Sequence, residues 1–178
     1  MVRPERDSTR RPNPPLAHSW VEKVLTGGQT GADRAAADFA LENGIAYGGW
    51  VPHGGWAEDF PVPPGVLAAY PAFSEAASGD PAVRTIRNVD DADGLLVVSL
   101  GPISSRGTQL AVARAKERRT PADAVDLLHG NAGGRLAALV ASLGAGCTLT
   151  VAGPRESEEP GIYAATRRFF DAHRDLLV

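Results

Sequence analysis

Val24-Leu-Thr-Gly-Gly-Gln-Thr-Gly-Ala-Asp-Arg-Ala-Ala-Ala37 is the stretch whose reading decides the fold. A β-rich run at 22–26 enters Gly27 and Gly28. The polar pair Gln29 and Thr30 then leads through Gly31 into an apolar-periodic helix at 33–42, with Ala35, Ala36, Phe39 and Ala40 on one face. Glycine tolerates positive φ and puts no Cβ in the way of a ligand. The first turn of a helix carries unpaired N–H groups at the positive end of its dipole. A strand, a glycine turn and a helix start therefore make a candidate anion site, usually for phosphate.

Outward from this stretch the alternation continues. Residues 1–19 hold Arg3, Arg6, Arg10, Arg11 and four prolines and read as a flexible tail, so a single domain is expected over 20–178. Asn43-Gly44 closes the first helix, and 45–51 reads as a second strand. Residues 52–78 are rich in Pro and Gly and read as a long loop, which in a compact domain is usually functional. Asp80 as N-cap and Pro81 at the first position open a helix over 80–89. The continuous apolar run at 94–100 is the mark of a strand buried on both faces. Helices follow at 108–118 and 134–143, with a weaker strand at 124–128 and a buried one at 148–152. Pro160 opens a last helix to about Leu177, whose stripe of Ile162, Ala165, Phe169 and Leu176 faces the sheet. The pattern predicts an α/β, Rossmann-like three-layer fold with a mostly parallel sheet and helices on both faces.

Composition narrows the function classes. A net charge of −3 offers no broad basic surface, so nucleic acid is not an expected partner. No apolar run reaches membrane-spanning length, and the first residues lack a signal-peptide core. The single Cys147 excludes an internal disulfide and a cysteine-based zinc site, and the four histidines have no zinc spacing. A cytoplasmic protein without a metal centre or membrane partner is expected.

In parallel sheets, ligands bind beyond the carboxyl ends of the strands. Three strands end there in glycine-bearing turns: Thr26-Gly27-Gly28, Ser99 through Gly107-Thr108, and Ala152-Gly153-Pro154-Arg155. If the strands are parallel, the three turns share one edge and predict a phosphate or nucleotide site. Arg155 either grips phosphate bidentately or bridges a carboxylate. Thr108 either donates to phosphate or caps its helix. Asp33 would repel phosphate, and is read as ordering the loop or meeting a ligand hydroxyl, while Arg34 is read as facing solvent. Glu58 and Asp59 are adjacent loop acids that bind a ribose hydroxyl or a metal, act as a base, or are solvated. Trp50 and Trp56 either stack on a base or plug the core. Arg84 and Arg87, one turn apart, point at the ligand edge or form surface pairs with Asp80, Asp90 or Asp91.

The run Thr26-Gly-Gly-Gln-Thr-Gly-Ala-Asp-Arg-Ala-Ala36 resembles the opening motif of proteins labelled molybdenum carriers. These are also described as circularly permuted relatives of YpsA within the SLOG superfamily, which includes the Lonely Guy and DprA proteins. The resemblance continues through Gly48-Gly-Trp-Val-Pro52, Ala57-Glu-Asp59, Arg84-Thr85, Gly107-Thr108 and Ala152-Gly-Pro-Arg-Glu-Ser157. It implies a Rossmann-like fold, a nucleotide-type ligand and a homo-oligomer, dimer or tetramer. The carrier label implies molybdenum cofactor, a pterin bearing phosphate. Two departures stand out: His53 where members usually have Lys, and Ser105-Arg106-Gly107-Thr108 where they usually have Ser-Gly-Gly-Thr.

The Lonely Guy enzymes cleave the N-glycosidic bond of nucleoside monophosphates. Arg84 falls at the place of their catalytic Arg, but Ala111 stands where their catalytic Glu lies, three residues past the Gly-Thr. A carboxylate is needed to stabilise the oxocarbenium ion or activate water. The expectation is a carrier or sensor of a nucleotide or related phosphorylated heterocycle. Its phosphate is cradled by Gly27, Gly28 and Gly31 with Gln29 and Thr30, and by Gly107, Thr108, Gly153 and Arg155, with Arg84 assisting, while Glu58 and Asp59 meet the sugar or pterin side. The alternative is a nucleotide N-glycosidase in which Arg84 positions phosphate and Glu58 or Asp59 does the acid–base work.

Overall fold

The computed structural model describes residues 20–178. Among these described residues seven strands form: β1 (Val21–Leu25), β2 (Ala46–Gly48), β3 (Trp50–Val51), β4 (Ser74–Glu75), β5 (Gly94–Ser99), β6 (Ala122–Asp126) and β7 (Cys147–Ala152). Five make one sheet in the order β2-β1-β7-β5-β6, every neighbouring pair parallel. β3 and β4 form a separate parallel pair. The helices are α1 (Ala32–Glu42), α2 (Pro81–Asp90), α3 (Arg106–Arg118), α4 (Ala132–Leu143) and α5 (Ile162–Ala172). No helix among the described residues is long and apolar enough to cross a membrane.

Side-chain alternation along β5 sorts the layers. Leu96 and Val98 point into a core shared with Phe39 of α1, Leu136 of α4 and Phe170 of α5. Leu95 and Val97 point the other way, into a core with Val89 of α2 and with Ala111 and Ala115 of α3. Every residue of β5 is buried, as its apolar run predicts for a central parallel strand. The α/β three-layer expectation holds.

Topology creates the site. The chain steps from β1 outward to β2, and from β5 outward to β6 in the opposite direction. β7 enters last, into the gap between β1 and β5. The carboxyl ends of β1, β7 and β5 are thus neighbours at a reversal of strand order, where α/β sheets open a crevice.

Several boundaries differ from expectation. The strand expected over 45–51 breaks at Gly49, whose φ is 121°. A Cβ there would lie 2.2 Å from the Thr26 carbonyl oxygen. The first half therefore pairs with β1 and the second leaves as β3. Residues 52–78 are not a bare loop. They carry two 3-10 turns (His53–Gly55 and Gly65–Ala68) and β4, and their Ala57, Val66 and Phe73 form a small core with Val51 of β3 and Ala37 of the first helix. α3 starts at Arg106, which places Gly107 and Thr108 inside its first turn. α5 stops at Ala172, and a 3-10 turn, Arg174–Leu176, completes the chain's return to the sheet. The expected tail lies outside the described residues.

Candidate functional site

A cavity of about 270 Å³ opens at the strand reversal. The β1 turn contributes Gln29 and Asp33, and the β5 turn contributes Ser105 to Thr108. Gly153, Arg155 and Glu158 come from the β7 turn, Arg84 and Thr85 from α2, and Trp56 from the 52–78 excursion. The three glycine turns meet here because they are packed backbone to backbone. A Cβ on Gly31 would lie 2.4 Å from the Pro154 carbonyl oxygen, and one on Gly153 would lie 2.6 Å from that of Val98.

The start of α3 presents free backbone donors to the cavity. Its N-cap, Ser105, makes no side-chain bond to the helix. The first intrahelical bond runs from the Gln109 N–H to the Ser105 carbonyl at 2.9 Å, so the N–H groups of Arg106, Gly107 and Thr108 precede the ladder. A Cβ on Gly107 would meet nothing nearer than the Ser105 hydroxyl at 4.0 Å, so this position faces open space. Thr108 is 2% exposed, and its hydroxyl has no hydrogen-bond partner among the described residues. An unpaired buried hydroxyl costs about 1–3 kcal/mol, a cost that a bound acceptor removes.

The β1–α1 turn is arranged differently from expectation. The Gly27 N–H donates to Asp33 Oδ2 at 3.1 Å, and the Gly28 N–H donates to the Thr26 hydroxyl at 3.0 Å. The Ala32 N–H donates to the Pro154 carbonyl at 3.2 Å. These amides are turned to acceptors of the protein itself, so Gly27 and Gly28 do not offer them to a ligand. The acceptor in this turn is Asp33. Burial pushes its carboxyl above the usual carboxylate range, opposed by the Arg84 charge and by the Gln29 and Gly27 amides. Arg84 lies over Gly27, its guanidinium nitrogen 3.4 Å from Asp33 Oδ2. A Cβ on Gly27 would fall 1.5 Å from that nitrogen. Gly27 is therefore the seat of Arg84. Arg84 Nε is buried without a partner among the described residues, so the group has a donor to spare there.

The loop acids lie outside the cavity. Glu58 accepts from the Thr30 hydroxyl at 2.7 Å and from Ser157, and pairs with Arg155 at 3.0 Å. Burial raises the Glu58 pKa, but the Ser157 and Thr30 hydrogen bonds and the Arg155 charge together hold it below the usual value. Asp59 is paired with Arg34 at 2.7 Å. Arg34 does not face solvent. It is buried against the Phe60 and Tyr70 rings, and it also donates to the Gly28 carbonyl at 3.0 Å. Arg155 bridges Glu58 and Glu158, and it also lines the cavity. His53 pairs with Glu75 at 2.9 Å, away from the cavity, whereas Arg106 lines it. Arg87 stacks on Trp50, 4.2 Å from the ring centroid, and the Trp50 indole N–H donates to Asp91 at 2.6 Å. Trp50 is thus half-buried and held by Arg87 and Asp91 outside the core, and Trp56 lines the cavity. Among the described residues, no group of three His, Cys, Asp or Glu side chains is arranged to hold a metal ion.

A parallel sheet with its crevice at the strand reversal, walled by three glycine turns, defines a Rossmann-like α/β protein. The chain belongs to the circularly permutated YpsA SLOG family, whose pattern matches residues 24–173. It is similar to a crystal structure from Syntrophus aciditrophicus SB described as "Putative molybdenum carrier protein". The two share 34% identity and a TM-score of 0.76, over 88% of this chain and 96% of that one. No curated protein matches the chain.

Proposed function

We propose that this protein binds a nucleotide or a related phosphorylated heterocycle, as a carrier or sensor, with the phosphate at the start of α3. The observation that carries this reading is the Thr108 hydroxyl, buried and unpartnered in the first turn of a helix beside an open Gly107. Three guanidinium groups line the cavity (Arg84, Arg106 and Arg155) against the carboxyls of Asp33 and Glu158, so the balance favours an anion. The volume of about 270 Å³ suits a small ligand rather than a dinucleotide. A pterin phosphate, the ligand that the molybdenum-carrier resemblance implies, belongs to the same chemical class, and the similar structure is described as a molybdenum carrier.

The N-glycosidase alternative assigns acid–base work to Glu58 or Asp59. Both are held in ion pairs outside the cavity, so binding without cleavage is the reading supported. Titration calorimetry with inorganic phosphate and the nucleoside 5′-monophosphates, followed by chromatography for free base, tests it. Binding without base release is expected. Release of base would favour the enzyme, and failure of every phosphorylated probe to bind would overturn the anion site. The reading extends to a cytoplasmic homo-oligomer, dimer or tetramer, which light scattering after size exclusion checks.

A further inference from the structure

Trp56 is 40% exposed, yet the backbone that carries it is held tightly. The Gln29 side-chain amide, 3% exposed, donates to the Trp56 carbonyl at 3.0 Å and accepts from the Glu58 N–H at 3.3 Å. It acts as one rung of a ladder between the glycine turn and the excursion. On the next positions Ala57 is buried and exchanges hydrogen bonds with Phe60, and Glu58 is bonded by Thr30, Ser157 and Arg155. Among the described residues, no aromatic ring or guanidinium packs on the Trp56 indole, in contrast to Trp50 under Arg87. A large aromatic surface left in water is unfavourable. Here it is kept on a fixed backbone at the wall of the same cavity that the start of α3 lines, where the proposed function puts the phosphate.

We infer that Trp56 is the stacking face for the planar ring of the ligand, and that Gln29 is the positioning residue that sets it. The inference rests on the anion reading and narrows it. The site distinguishes phosphate esters of aromatic heterocycles from sugar phosphates and free phosphate through the indole face. An indole presents a π surface to any base, so the selection is for planarity rather than for one base. Gln29 acts through Trp56 by fixing the height of its backbone above the cavity. This is why an amide, with one donor and one acceptor in the right order, serves there.

The test compares adenosine 5′-monophosphate and guanosine 5′-monophosphate with ribose 5-phosphate on the wild-type protein, Trp56→Phe and Trp56→Ala. Calorimetry gives affinity, and tryptophan emission gives a second readout. Expected are nucleotide binding about tenfold or more tighter than ribose 5-phosphate in the wild type, and quenching of emission by nucleotides alone. Trp56→Phe should retain most of that preference and Trp56→Ala should abolish it, with ribose 5-phosphate binding unchanged in both. Gln29→Glu replaces the donor by an acceptor and should weaken the nucleotide preference and the quenching together. Equal binding of nucleotide and sugar phosphate in the wild type, or a preference unchanged in Trp56→Ala, overturns the stacking role and leaves the anion site standing. Failure of both classes of probe to bind overturns the anion site itself, and the stacking role with it. Thermal unfolding of each variant confirms that the fold is intact; Trp56 is exposed enough for both substitutions to fold.

Discussion

Gly27→Ala probes the site through a single methyl group. Gly27 is absent from the positive-φ glycines, so alanine meets no backbone strain there. The new Cβ would sit 1.5 Å from the Arg84 guanidinium nitrogen and 2.4 Å from its central carbon, so the guanidinium must withdraw. Asp33 then loses its nearest cation but keeps the Gly27 N–H at 3.1 Å. Stranding a buried charge completely costs about 3–5 kcal/mol. With the amide donor retained, about 1–3 kcal/mol is the fitting range. The smaller entropy of the unfolded alanine chain offsets about 0.4–1 kcal/mol of this. In a domain of this size each kcal/mol moves the thermal midpoint by about 2–4 °C, so a fall of a few degrees is expected. Loss of one charged donor to phosphate, worth about 1.5–3 kcal/mol, weakens nucleoside monophosphate binding by roughly 10- to 150-fold. Calorimetry on Gly27→Ala, Arg84→Ala and the double variant gives the answer. If Gly27 serves as the seat of Arg84, the double variant binds no worse than Arg84→Ala alone. Fully additive losses would refute the seat and return Gly27 to direct phosphate contact.

Two further substitutions follow from titration. The Asp33 pKa lies above its usual 3.8, so its protonated form favours the fold, and that contribution is lost as pH rises through the folded value. Asp33→Asn should therefore gain stability relative to the wild type as pH is raised from about 4, read as a widening gap in thermal midpoints; a gap that does not change with pH would count against it. Glu58 behaves oppositely. Its pKa is held below the usual 4.5, so its contribution is present above that pH and lost as pH falls through the lowered value. Glu58→Gln should cost about 1–2 kcal/mol at pH 7, with the deficit fading in acid and with nucleotide affinity changed much less than in Arg84→Ala.

The centre of the sheet was legible because its strands announce themselves locally, whereas the edge strands were not: β2 ends at Gly48 short of the expected 45–51, and β6 spans Ala122–Asp126 rather than 124–128. The apolar run at 94–100 and the glycine that follows each central strand were enough to place three turns on one rim. The excursion was harder to read. Its order depends on contacts such as Gln29 to Trp56, 27 positions apart, and Asn88 to Trp50, 38 apart, which leave no periodic mark. The direction of the amides was equally hidden. Whether a glycine turn offers its N–H groups outward depends on whether a side chain such as Asp33 turns back to take them, and Gly-Gly-Gln-Thr-Gly is compatible with both. Arg34 illustrates the same point: on a helix of alanines it has no sequence neighbour that requires burial. Its burial comes from Asp59, Phe60 and Tyr70, all on the distant excursion.

The central claim is that the start of α3, and Thr108 above all, holds the ligand's phosphate. Thr108→Val keeps the shape and removes the unpartnered hydroxyl, so measuring nucleoside monophosphate affinity and ligand-free stability on this one variant tests it. The account predicts a ligand-free protein at least as stable as the wild type, binding about 5- to 12-fold more weakly for one lost hydrogen bond. A variant that is less stable yet binds as well as the wild type would show the hydroxyl to be a structural cap, contradicting the account.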